Sequence, residues 1–428
     1  MNQEAKRYID NLNHPDKEVR LENLKKLQQM ITEGRIEKIR PCGAVNNHIH
    51  TSYSFSPYSP TKAVWMAYQS GLITAGIMDH DSISGAKEFL RAGEILGIAT
   101  TIGLECRVDF SNTPLAGKRI NNPDQKSIAY VALHGIPHTQ IDTVIDFFKP
   151  YTEKRNARNR KMIDKINALL TKFDVTLDFD KDVVPLSMAH EGGSITERHL
   201  LFALSMKLIE KYDKGQALVS FLTDDLGLNI SDKVKAYLLD EENEHYAYDL
   251  LGALKSDMVS QFYIAADAEC PDVSKVIDLS KQVGAIAAYA YLGDVGTSVT
   301  GDKKSQKFED DYLEMLFEVL KAQQFNAVTY MPSRNTKAQL ERLRALCKQH
   351  DLFEISGEDI NSPRQSFICE AMKDPMFANL IDATWALIGH EREATKDINA
   401  GMFTLQTINQ IPSLTERIEV YKKATNNR

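Results

Sequence analysis

Residues 48–60 read HIHTSYSFSPYSP and residues 76–89 read GIMDHDSISGAKEF. Each stretch joins the end of a β-prone run to the start of a helical one. Ala44–Asn47 leads into His48-Ile49-His50, and Ile73–Met78 leads into Asp79-His80-Asp81. Further on, Ile98–Leu104 leads into Glu105 and Ile128–Leu133 leads into His134. Strands alternating with helices predict a mostly parallel sheet or barrel. In a parallel α/β barrel the carboxyl ends of the strands converge on one face, so residues far apart in sequence meet there. A His-x-His pair on a strand places both imidazoles on one face, because the side-chain period is two. A single His at a strand end is usually a surface or capping residue. Five ligand-type side chains on four successive strand ends form a pattern instead. Imidazole and carboxylate without thiolate suit Zn, Mn or Fe.

The rhythm continues at Gly284–Tyr291, Phe325–Tyr330 and Leu352–Ile355. The helices between have credible starts. Ser59-Pro60 offers a cap followed by a proline at the first helical position. Thr336 and Gln339 have capping-box spacing ahead of Leu340, Leu343 and Leu346. Before the first strand, residues 15–31 show helical spacing through Leu24, Leu27 and Ile31, with Asp16 as cap. Residues 151–260 break the strand rhythm, being charged and helical in pattern, as in Lys154–Leu170 and His199–Lys211. The chain therefore divides into an N-terminal helical segment (1–40), a barrel built from 41–150 and 265–428, and a mainly helical insertion (151–264). Trp65, Met66 and Tyr68 read as core.

Composition sets limits on partners. The 428 residues are 43% hydrophobic, 26% charged and carry a formal net charge of -8. An acidic surface repels phosphate backbones, which makes nucleic acid a poor partner; a small phosphorylated molecule remains compatible, because a local cation cluster reverses the field inside a cleft. The five cysteines are scattered with no CxxC spacing, against both a disulfide framework and a thiolate metal site. There is no apolar leader at the amino terminus and no run of 18 apolar residues, so a cytoplasmic protein without membrane spans is expected. Oligomeric state is not written in the pattern.

Taken in order, HIHTSYSFSPYSP, GIMDHDSISGAKEF, IGLE (102–105), LHG (133–135) and the later SGEDIN (356–361) resemble the successive motifs of the PHP (polymerase and histidinol phosphatase) family. The resemblance is close over 43–135 and looser over 275–362. It implies a distorted (β/α)7 barrel and a multinuclear metal centre that hydrolyses phosphate esters. His48, His50, Glu105 and Asp359 match the ligands of one metal site. Glu105 would bridge to a second, where His134 matches, and His80 matches a ligand of a third. Three departures stand out. Phe55, Ser56 and Pro57 occupy the stretch where an Asp or His is usual. Tyr289 or Tyr291, in AIAAYAYLGD (285–294), replaces a His. Asn361 stands where the closing motif has a His, and offers only a neutral carbonyl oxygen. The resemblance thus implies one or two divalent metals (Mn, Zn or Fe) rather than a full set of three, with Asp294 or a tyrosine oxygen as the available substitutes.

Other residues keep two readings. SITERHLLFAL (194–204) resembles the family's Arg-Pro-His-Ile-Ala segment, making Arg198 a substrate contact and His199 either a ligand or a helix-terminal His. KRNARNRKMIDKI (154–166) resembles an Arg-rich helix of small PHP phosphoesterases; Arg155, Arg158 and Arg160 either hold a phosphate bidentately or form a solvated basic face. Arg364 has the same alternatives. Asp79 and Asp81 flank His80, to orient it or to handle a proton, or Asp81 caps the next helix. The expected activity is hydrolysis of a small phosphomonoester or phosphodiester by a metal-activated water. The alternatives are a catalytically impaired protein that binds metal or a phosphorylated ligand as a sensor or scaffold, and a nuclease-type PHP domain.

Overall fold

The computed structural model describes residues 3–295 and 306–425. Seven strands form one sheet in sequence order: β1 (Val45–Ile49), β2 (Thr74–His80), β3 (Ala99–Asp109), β4 (Ile128–His134), β5 (Ile286–Ala290), β6 (Ala327–Tyr330) and β7 (Phe353–Ser356). Each overlaps the β-prone run that placed it, but β3 does not end at Leu104 as expected: it runs on through Glu105 to Asp109, so Glu105 is not at a strand end. The sheet curls until its two ends touch. Ile49 bridges in parallel to Ile360, the His50 amide donates to the Ile360 carbonyl at 2.9 Å, and the Ile360 amide to the His48 carbonyl at 3.1 Å.

Neighbours pair in parallel, with one exception. β4 runs antiparallel to both β3 and β5. The expectation of converging carboxyl ends therefore fails for His134, which reaches the centre by register, opposite Gly103. The direction follows from the connections. A parallel return needs a crossover, usually a helix, and residues 110–127 between β3 and β4 hold none. The long helical stretch lies between β4 and β5 instead.

Helix starts are set by the residues the sequence offered. The Ser59 hydroxyl accepts from the Lys62 amide ahead of helix Pro60–Gln69. Thr336 and Gln339 complete a capping box on helix Lys337–Gln349. Asp16 caps helix Lys17–Thr32, which buries Leu24, Leu27 and Met30 against the main core. Arg20 on that helix makes a two-pronged bond to Glu88 on helix Ala86–Leu96. Both side chains are almost fully buried, which stitches the amino-terminal segment to the sheet layer.

The two largest apolar clusters organise most of the interior. The larger lies between the sheet and its flanking helices, and includes Trp65, with Met66 and Tyr68 packed at its edge. A second, formed by Met162, Ile166, Leu204, Leu250, Leu254 and Phe262 among others, joins helices Ile141–Leu170, Glu197–Tyr212 and Tyr246–Phe262. Helix Ile141–Leu170 runs through both: Ile141, Val144 and Phe148 belong to the first cluster, Met162 and Ile166 to the second. A boundary at residue 151 falls inside this continuous helix, one residue past Pro150. Among the described residues no helix is long and apolar enough to cross a membrane.

Candidate metal centre

The site grows from the alternation of the strands. His48 and His50 are two residues apart on β1 and its exit, so their rings share a face, with centroids 5.1 Å apart. His80, the last residue of β2, brings its ring to 4.6 Å from that of His50. Glu105 lies midway along β3, in register with His80. Its Oε2 sits between two imidazoles, 3.5 Å from His48 Nε2 and 3.4 Å from His80 Nδ1. From the loop after β7, Asp359 places Oδ1 3.1 Å from His50 Nε2. The donors fall into two sets whose ligand atoms lie within 4.8 Å of one another: His48, His50 and Asp359, and His50, His80 and Glu105. His134 belongs to neither set, but its ring is buried and feels the charges of His48 and Glu105.

These residues fit a divalent cation on a specific observation. The Nε2 atoms of His48, His50 and His134 are buried without a geometric hydrogen-bond partner, and carboxylates stand beside the first two, Glu105 at 3.5 Å and Asp359 at 3.1 Å. A buried polar group left unpaired costs about 1–3 kcal/mol. Three in one place mark a set of lone pairs that a cation would satisfy, and the nitrogen and oxygen donors suit Zn, Mn or Fe. Protonation states agree. Burial first, then the neighbouring His50, pushes His80 down to about 3. Burial and His48 do the same to His134, also to about 3. Both are held neutral, the form in which imidazole binds metal. Burial opposes ionisation of Glu105 and Asp359, yet His48 outweighs it at Glu105, and His50 at Asp359, so both carboxylates are held below their usual range. His48 is disfavoured as a cation by burial, but Glu105 and Asp359 raise it overall.

Hydrogen bonds from neighbouring side chains hold these residues in place. Asp79 accepts from the Thr51 amide at 2.7 Å, the Thr51 hydroxyl at 2.6 Å and the Ser54 hydroxyl at 2.6 Å. Ser54 Oγ also lies 3.3 Å from His50 Nδ1. Asp79 therefore orients the loop after β1 and, through Ser54, His50 rather than His80. Asp81 caps no helix. It sits at φ +52°, donates its amide to the Glu105 carbonyl and pairs its carboxylate with Arg155. The Asn361 Oδ1 accepts from Arg198 at 2.6 Å and its Nδ2 donates to Asp359 Oδ1 at 2.5 Å, which orients Asp359.

Several predicted contacts lie elsewhere. Arg155 and Arg158 are buried, but in a network of charges rather than on a basic face: Arg155 with Asp81, and Arg158 with Glu197 and with Glu269 at 2.7 Å. Arg107 joins it, 3.1 Å from Glu197 and 3.3 Å from Glu269. Arg160 forks onto Asp180 at 2.6 and 2.7 Å on the exposed side of its helix. Arg364 forks onto Asp249 at 2.8 Å and covers the Tyr237 ring. His199 uses Nδ1 to accept from the Thr196 amide at 3.0 Å, completing the cap of helix Glu197–Tyr212, and packs edge-on against Phe55. The replacements for the family's usual ligands also turn away. Tyr289 bonds Glu309 at 3.0 Å, Tyr291 bonds Asp310 at 2.6 Å, and Asp294 accepts from the Phe308 amide. Phe55 belongs to the helical apolar cluster.

The sequence reading missed Arg107, Glu197, Glu269 and Tyr130, whose ring lies 5.8 Å from that of His80. Arg107 had a signal: it is two residues past Glu105 on one strand and so shares its face. The two glutamates had none, since they come from segments 90 and 162 residues away.

Comparison with known proteins bears on the fold and the family. No curated protein matches the chain. Among solved structures, a protein from Bifidobacterium adolescentis with the provisional description of metal-dependent phosphoesterase superposes with a TM-score of 0.51 at 18% identity, covering 78% of this chain and 96% of its own. An amidohydrolase from Chromobacterium violaceum gives 0.48 at 15% identity, covering 76% and 90%. At these identities the first supports the fold alone. The family model for the PHP domain matches residues 46–326, more than half of the chain and the strands from β1, less its first residue, to β5, and the chain belongs to the PHP domain family.

Proposed function

We propose that the chain is a metal-dependent hydrolase of a small phosphate ester. The observation that carries this is the trio of buried, unpartnered imidazole nitrogens beside two carboxylates held ionised. His48, His50 and Asp359 would hold one ion, and His80 and Glu105 would contribute to a second, with His134 beside them. A bound divalent ion lowers the pKa of a water toward ~7 and offsets charge on a phosphoryl group. The chain's own residues do the rest. Asp79 and Ser54 hold the His50 ring, and Asn361 holds Asp359, so neither ligand has to be organised during turnover. Arg198, bonded to Asn361, stands ready to neutralise charge that develops on the phosphoryl oxygens. Asp81, committed to Arg155, serves as a positioning residue next to His80.

Residues 151–264 are read as an insertion whose own apolar cluster supports a wall over the site. Through Arg198 it brings a cation to the loop of Asp359, and through Ser194, whose hydroxyl donates to the His80 carbonyl at 2.6 Å, it reaches β2.

One observation favours a second reading, a protein that binds a phosphorylated ligand without turnover. Tyr289 and Tyr291, one or other of which stands in place of an expected His, are tied to Glu309 and Asp310, so the site has fewer donors than the family pattern. A panel of small phosphate mono- and diesters, assayed with added Mn and again after chelation, separates the two. Turnover that chelation abolishes supports the hydrolase. Ligand binding with no turnover on any ester favours the second reading.

A further inference from the structure

Phe55 holds a backbone conformation that its side chain disfavours. Its φ is +127°, whereas the other non-glycine residues with positive φ among those described lie between +52° and +64°, inside the small left-handed region. A bulky residue outside that region persists only where its surroundings over-determine it. Here the surroundings are aromatic. Phe55 is buried, with its ring edge-on to that of His199 at 5.0 Å, 5.6 Å from Phe202 and 6.0 Å from Tyr248. His199 and Phe202 belong to helix Glu197–Tyr212, and Tyr248 to helix Tyr246–Phe262. The loop after β1 therefore plants this side chain in the apolar cluster of the helices, not in the larger cluster against its own sheet.

The same loop orients a ligand. The Ser54 and Phe55 amides both donate to the Thr51 carbonyl, at 3.0 and 3.1 Å, and Thr51 and Ser54 together hold Asp79. With its proton on Asp79, the Ser54 oxygen is free to accept from His50 Nδ1, 3.3 Å away. A bond at one ring nitrogen decides which nitrogen keeps the lone pair, and here it leaves His50 Nε2 bare, beside Asp359. The neighbourhood of the helices grips the loop at a second point. The Ser194 amide donates to the Tyr53 carbonyl at 2.7 Å, and the Tyr53 hydroxyl to Glu191 at 2.5 Å.

We propose that Phe55 is a positioning residue through which helices Glu197–Tyr212 and Tyr246–Phe262 set the affinity of the metal centre, although neither donor set contains any of their residues. The aromatic pocket holds the Phe55 ring, the ring holds turn 51–55 in its disfavoured conformation, and the turn keeps Ser54 beside His50. Once the ring is removed, nothing offsets the unfavourable backbone, so the turn relaxes and His50 loses the partner that orients it. The coupling rests on the metal reading of the site and is independent of which ester, if any, is hydrolysed.

The test is the affinity of the full chain for Mn and, separately, for Zn, measured by competition with a chelator, together with amide hydrogen exchange of the metal-free chain. Phe55→Ala is expected to bind the tighter-held metal about tenfold more weakly than the parent, as for loss of a partner that supports a ligand. Phe55→Leu, which keeps an apolar side chain in the pocket, should lose less. The Thr51, Ser54 and Phe55 backbone amides should exchange faster in these variants, while those of β5 to β7 keep parental protection. Phe202→Leu loosens the pocket from the helix side; it should shift affinity in the same direction, and it serves if Phe55→Ala does not fold. Phe221→Leu is the control, since Phe221 lies in the same cluster but packs on Tyr212 and Phe173. It should leave metal affinity unchanged. Parental affinity in Phe55→Ala, or an equal loss in Phe221→Leu, overturns the coupling alone. A parent that binds neither metal removes the metal reading and the coupling with it.

Discussion

Gly357 lies directly against His48: a β-carbon placed on this glycine would come 2.5 Å from the His48 β-carbon and 2.8 Å from the His48 backbone nitrogen. That approach lets the chain leaving β7 run alongside β1, where Ile360 bridges Ile49 and Asp359 comes over His50. The glycine of the closing motif is therefore a requirement of packing, and the metal-facing geometry depends on it.

Gly357→Ala should accordingly damage the site more than its size suggests. The overlap is with backbone as well as side chain, so rotation of one side chain cannot relieve it. A cost of about 1–3 kcal/mol is expected for overpacking of this kind, together with a fall in bound metal. Thermal denaturation and elemental analysis of the variant check both, and a variant with parental stability and metal content would show that the ends of the sheet have slack.

Removal of Arg20 tests the attachment of the amino-terminal helix. Its partner Glu88 is buried with it and also accepts from the Thr61 amide and hydroxyl. Breaking a buried pair from one side strands the other charge and costs about 3–5 kcal/mol. Arg20→Ala should lower the unfolding free energy by that order while activity per folded molecule stays near parental, since the pair touches none of the ligand residues. Equal loss from exposed-pair controls such as Lys87→Ala would contradict it.

Acid sensitivity should trace to the buried charge network. Burial works against ionised Glu197, but Arg107, Arg158 and Arg155 outweigh it and hold its carboxyl well below the usual range. A carboxylate depressed in the folded state contributes stability above its unfolded pKa of about 4.3, and loses it as pH falls through the folded value. The thermal midpoint should therefore be insensitive to Glu197 titration near neutrality and fall increasingly below about pH 4. Glu197→Gln should be less stable at pH 7 and show a shallower acid limb. Parallel pH profiles for parent and variant would place the acid sensitivity in another group.

The legible and illegible parts of the molecule divide by physical cause. Strand positions could be read because β-prone runs with terminal ligand residues are local patterns, and His48, His50, His80, Glu105 and Asp359 do meet. Helix starts at Pro60 and Lys337 were equally local, being fixed by Ser59 and by Thr336 with Gln339. The direction of β4 was written less plainly, in the lack of a helix across 110–127, which argues against a parallel return. The fates of Arg155, Arg158, Arg160 and Arg364 could not be read, because a basic helix face looks the same in sequence whether it meets substrate, solvent or carboxylates. Asp81, Glu197, Glu269, Asp180 and Asp249 decide that, and they are brought by the fold.

The most direct test of the metal centre is elemental analysis of the purified chain beside a His48→Ala/His50→Ala variant, each after dialysis against Mn or Zn. The parent should retain about one or two equivalents of divalent metal and the variant close to none, with both still folded. A parent that holds no metal under any loading, or a double variant that keeps the parental amount, would contradict the assignment of these histidines as its ligands.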